Sequence, residues 1–176
     1  MANKNSFSPV EWRKLVQAPL LAGFAVSAAD PSSFVGTLQE AFASAKELAQ
    51  AKTGASGELV KAVADEILTS SGRAEAREGI RSIVQGAKLD EIKGRALEAL
   101  KETATLVNQK APQEAASFNG WLLQIAKTVA EAGTEGGFLG FGGVKVSDVE
   151  KAALGEISEN LGLGSQDPAP PAANQS

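Results

Sequence analysis

The chain has 176 residues, enough for one compact domain with a sizeable core and too few to require two. Seventeen basic against twenty-one acidic side chains give a net charge of −4, and the cations are spread along the chain, so no global field draws in nucleic acid. Cysteine, histidine and tyrosine are absent. Their absence excludes disulfides, thiolate or imidazole metal sites, histidine-ligated haem, the Glu-x-x-His di-iron bundle and Ser-His-Asp hydrolysis.

Hydrophobic residues make up 43% of the chain and aromatics only 5%. A core of alanine, leucine, valine and isoleucine suits close helix packing, and the reading is all-α: a single bundle of six or seven helices over residues 1–162, followed by a Pro/Ala-rich tail over 163–176 that is expected to be disordered. The first helix opens at "SPVE", where Ser8 caps, Pro9 fills the first turn and Glu11 completes a capping box. Proline inside a helix removes a hydrogen bond, so a kink or break is expected before Pro19. The continuation "PLLAGFAVSAA" is apolar nearly all round and should be the most buried helix. The same residues, with Arg13 and Lys14 ahead of them and "SAAD" behind, imitate an export signal; Glu11, Gln17, Pro19 and the capping box favour a buried helix instead.

"DPSS" at 30–33 starts the next element, and Phe34, Leu38, Phe42, Ala45 and Leu48 recur at helical spacing as far as Lys52. After "TGASG", a short helix runs through Leu59, Val63 and Ile67. "SSG" at 70–72 is expected to break the pattern before a stretch on Ala76, Ile80, Val84 and Ala87. A wide stripe from Ile92 through Ala96, Leu100, Thr103 and Val107 ends before Pro112. Phe118, Trp121, Leu122, Ile125 and Val129 define the following helix, which ends near Gly133. The last helix opens with a second capping box, Ser147 to Glu150, and its apolar line is read as Val149, Ala153, Ile157 and Leu161.

One segment stands out: "EGGFLGFGG" at 135–143 sets five glycines around two phenylalanines and a leucine. It lacks the Gly-Lys-Ser/Thr of a phosphate loop and the third glycine of a dinucleotide fingerprint. "FLGF", Gly142-Gly143 and "VKV" fit a two-residue hairpin laid on the bundle as a lid, or turned toward another chain. We take Gly137, Phe138, Leu139, Phe141, Gly142, Gly143 and Lys145 as the candidate interaction loop. Arg73, Arg77 and Arg81 stand four apart as a basic stripe, but Glu75 and Glu78 on the same helix make a solvated, salt-bridged face the favoured reading. Asp65, Glu66, Asp90, Glu91, Glu98 and Glu102 show no calcium-loop spacing and are read as surface carboxylates. Trp12 and Trp121 lie outside any basic, aromatic-interleaved run and are read as core or groove anchors.

"EGGFLGFGGVKVSDVEKAALGEISENLG", preceded by "WLLQIAKTVAEA", resembles the C-terminal signature of a family of small all-helical bacterial proteins of unknown function, and "EWRKLVQAPLLAGFAVSAADPS" resembles their opening. The resemblance implies one intact helical domain and brings no assigned activity or site. The expectation is therefore a soluble, cytoplasmic bundle with no catalytic residues, metal or cofactor, acting on a protein partner or on copies of itself through the 136–146 loop. Two alternatives belong to other classes. One is a bundle holding an apolar small molecule between its helices, as a carrier or as an unusual enzyme worked by Lys, Ser or carboxylates. The other is a peripheral membrane protein with Phe138, Leu139 and Phe141 as a wedge and Lys145 toward the headgroups.

Overall fold

The computed structural model describes residues 2–29, 57–135 and 146–164. The helix expected over 30–52, the hairpin and the tail beyond Gly164 lie outside them. Among the described residues the chain is an all-α bundle: a short 3-10 turn, Lys4–Ser6, is followed by α1 (Pro9–Ser27), α2 (Glu58–Leu68), α3 (Ser70–Val84), α4 (Leu89–Lys110), α5 (Pro112–Glu135) and α6 (Asp148–Asn160).

α1 is the central element. Its capping box forms as the sequence predicts, with Glu11 N–H donating to Ser8 Oγ at 3.3 Å and Ser8 N–H donating to Glu11 Oε2 at 2.7 Å. Every residue from Leu15 to Ser27 except Gln17 is buried. The helix contacts all five others, most extensively α3, α4 and α5. The expected break at Pro19 does not occur: α1 runs through it unbroken. Proline withdraws one N–H from the helix, but Pro19 is enclosed on a helix buried all round, and packing there outweighs the local loss.

Glycine and alanine set how closely α3 approaches α1. The buried line on α3 is Gly72, Ala76, Gly79 and Ile83, with Ile80 and Val84 only half-buried, so the apolar face is rotated from the one read in the sequence. A Cβ on Gly79 would lie 2.9 Å from Gln17 Cβ of α1. "SSG" is not a breaker either. Thr69 caps α3, its Oγ1 accepting from Gly72 N–H at 2.9 Å, so Ser70, Ser71 and Gly72 form the first helical turn. The turn is so tight that a Cβ on Gly72 would strike the Glu66 carbonyl oxygen.

The N-terminus of α2 carries no cap of its own and takes one from α5. Gly57 N–H donates to Ser117 Oγ at 3.1 Å, and Leu59 N–H to Glu114 Oε2 at 3.4 Å. α5 buries Phe118, Trp121, Leu122, Ile125 and Val129, all as expected. α6 is held at both ends. Ser147 and Glu150 form the predicted capping box. At the other end Gly162 takes φ +70°, Gly162 N–H donates to Glu159 and Leu163 N–H to Ser158, which is the Schellman arrangement. Asn119 of α5 adds a buried bond from Nδ2 to the Leu161 carbonyl at 2.9 Å. The apolar line of α6 contains Ala153, Ile157 and Leu161 as expected, but its first member is wrong: Val149 is 54% exposed and Glu150 only 4%. Glu150 lies about 20° around the helix from Ile157, and Val149 about 80°.

Candidate functional site

The proposed interaction loop falls in the stretch whose structure is not described, so Gly137, Phe138, Leu139, Phe141, Gly142, Gly143 and Lys145 are known by sequence and by their two shoulders. On one side α5 buries Val129 and Ala130 and runs on to Glu135. On the other, Val146 packs partly buried against the core, and the next residue is locked by the α6 box. There Ser147 donates to Glu150 Oε2 from N–H and from Oγ, each at 2.9 Å, while Glu150 N–H donates back to Ser147 Oγ at 3.2 Å. The segment thus leaves one core helix and returns to another at fixed points.

The three arginines of α3 do not converge on a site. Arg73 folds back along its own chain, donating from Nη1 to the Leu68 carbonyl at 2.5 Å and from Nη2 to Ser70 Oγ at 3.4 Å. Arg81 pairs with Glu78 at 3.4 Å, one helical turn away. Arg77 is exposed and forms no ion pair with a described residue. Two of the three are engaged locally, and among the described residues Arg81 alone of them pairs with a glutamate of its own helix.

A second locus emerges where α1, the α2–α3 junction and the N-terminal turn meet. An open cleft of about 210 Å³ is lined by Lys4, Pro9, Trp12, Arg13, Val16, Glu66, Ser71, Gly72 and Glu75. Glu66 is its hub. Its Oε2 accepts from Lys4 Nζ at 2.7 Å and lies 3.4 Å from Trp12 Nε1, while the Lys4 ammonium sits 5.8 Å over the Trp12 ring. The Lys4 bond holds the Glu66 carboxyl below its ordinary range against the opposing effect of burial. The other carboxylate, Glu75, accepts from Arg13 Nε and from Gln17 Nε2, each at 3.1 Å. Trp12 itself is buried and its ring centroid is 6.2 Å from that of Phe7. The sequence reading placed Trp12 as an anchor but missed its partners. Lys4 and Trp12 are 62 and 54 residues from Glu66, and no local spacing signals a tertiary contact of that length.

Several other acidic groups tie the helices of the bundle together or cap them. Glu102 pairs with Lys14 at 2.7 Å across α1 and α4, Glu156 with Lys93 at 2.9 Å across α4 and α6, and Glu91 with Arg95 at 3.2 Å within α4. Glu11 Oε2 also receives Lys110 Nζ at 2.6 Å from the last turn of α4. That contact and the α1 cap together pull the Glu11 carboxyl down to about 2. Among the described residues no three acidic groups lie together as a metal-ion cage, and no helix is long and apolar enough to cross a membrane. No family model, curated protein or solved structure matches the chain.

Proposed function

We propose that the protein acts by binding and not by catalysis, as a helical interaction or self-associating protein whose contact surface includes residues 136–146. The observation that carries this reading is the placement of the segment. "GGFLGFGGVKV" begins just beyond α5 and ends at Val146, which is packed on the core, so a run with two phenylalanines and a leucine joins two helices of the bundle. Large apolar side chains so placed favour a protein contact, either a partner or a second copy. Composition supports the same reading, because a chain with no histidine, cysteine or tyrosine lacks the usual general bases and thiol nucleophiles. The likeness of its two ends to small helical bacterial proteins supports a bacterial origin, and we place the protein in the cytoplasm.

The test is a Phe138→Ser, Phe141→Ser double variant compared with the parent by light scattering and by affinity capture. The variant is expected to lose assembly mass or its captured partner. Unchanged mass together with unchanged partners would overturn the proposal. Because the chain is net acidic and two of the three α3 arginines are tied locally, no retention on DNA or RNA is expected even at low salt, and a salt-sensitive retention lost on Arg77→Ala would contradict that.

A further inference from the structure

We infer that the corner between Trp12 and Glu66 is a receptor for a primary alkylammonium group, occupied in the protein alone by its own Lys4 and exchangeable for a lysine side chain of a protein partner. The site is seen holding the group it would recognise. A cation about 6 Å or less from an indole centroid is attracted by the ring face, and a carboxylate supplies the charge-assisted hydrogen bond. Lys4 Nζ satisfies both at 5.8 Å and 2.7 Å. The receptor half does not depend on Lys4 for its shape. Trp12 is fixed on the buried side of α1 beside Phe7, and its Nε1 lies within reach of Glu66 on the neighbouring helix.

The occupant, by contrast, is held lightly. The Lys4 side chain is 60% exposed and its partner 24%, and an ion pair with so exposed a partner contributes little to stability. Lys4 rides on a three-residue turn with no buried member. The next residue, Phe7, is buried in the core, so the turn can swing away while the first anchored side chain stays in place. Room for a substitute already exists in the cleft of about 210 Å³, where Pro9, Val16 and Trp12 offer apolar surface for the methylene stem of a lysine. Glu75, already bridged to Arg13 and Gln17, leaves Glu66 as the exchangeable carboxylate of the cleft. The commitment to a protein lysine follows from the openness of the cleft. A free amine there binds weakly but saturably, because the corner supplies the ring face and the carboxylate, whereas an amine projecting from a partner surface adds surrounding contact and so binds more tightly.

This site is separate from residues 136–146, and its test leaves that segment untouched. The indole N–H signals of the ¹⁵N-labelled full chain, with Trp12 assigned through Trp12→Phe, are followed during titration with n-butylammonium chloride and with Nα-acetyl-lysine amide. Sodium chloride at equal ionic strength and the Nε-acetylated amide are the controls. In Lys4→Ala, whose circular dichroism should match the parent, both amines are expected to move the Trp12 signal saturably. The parent should respond with weaker apparent affinity because Lys4 competes. Adding Glu66→Gln to Lys4→Ala should weaken binding about tenfold or more. No saturable shift in Lys4→Ala, or a shift unaffected by Glu66→Gln, overturns the receptor. Equal affinity in parent and Lys4→Ala overturns the exchange. Response to n-butylammonium without response to the lysine amide overturns the assignment to lysine.

Discussion

At the scale of single residues, the same substitution has three different outcomes according to what surrounds it. Gly94 of α4 is exposed with open space where a Cβ would go, so Gly94→Ala is expected to stabilise by about 0.5–1 kcal/mol through helix propensity. Gly57→Ala displaces the Glu114 carboxylate that caps α2, a flexible obstacle, and should cost about 1 kcal/mol. Gly72→Ala meets the rigid Glu66 carbonyl and should be the most damaging of the three. Urea unfolding of the three variants checks the order. A second prediction concerns Glu11, whose folded pKa is lowered from 4.5 to about 2 by Lys110 and the cap of α1. A carboxylate lowered on folding contributes stability that is fully present above its unfolded value. That contribution is lost as pH falls from about 4.5 toward 2. The stability difference between parent and Glu11→Gln should therefore shrink over that window, and a difference independent of pH would contradict the pairing.

At the scale of elements, what could be read in the sequence was what is local. Both capping boxes span four residues and formed as expected, because their partners are fixed by chain geometry alone. The break expected at Pro19 did not form because its local penalty is set against a tertiary environment that no window of sequence contains. The phase errors on α3 and α6 have another origin: steps of four residues drift about 40° per repeat from a true helical line, enough after two repeats to exchange Val149 for Glu150. Accordingly, Val149→Ala should change stability by no more than about 0.5 kcal/mol, while Ile157→Ala, fully buried, should cost about 2–5 kcal/mol. Comparable losses in thermal unfolding would show that the face of α6 is assigned wrongly. The Lys4–Trp12–Glu66 corner was illegible for a like reason, since Glu66 reaches it from 54 and 62 residues along the chain.

At the scale of the whole molecule, the bundle is organised around one helix. α1 supplies Trp12, Leu15, Val16, Leu20, Leu21, Phe24 and Val26 to the core, and each large side chain of this kind contributes about 1.5–3 kcal/mol when fully buried. Net stabilities are about 5–15 kcal/mol. A chain lacking residues 1–29 is therefore expected to show no cooperative unfolding transition, and a cooperative transition in that chain would refute the central role of α1. The function we propose lies with the segment that joins α5 to α6. The most direct test is a native mass spectrum of the full-length chain, purified gently, beside its denatured spectrum. The account predicts either a clean multiple of the 18.1 kDa chain or a complex with a second polypeptide, both reverting to single chains on denaturation. A monomer that carries only a small, denaturation-labile mass would contradict it and identify the bundle as a small-molecule binder instead.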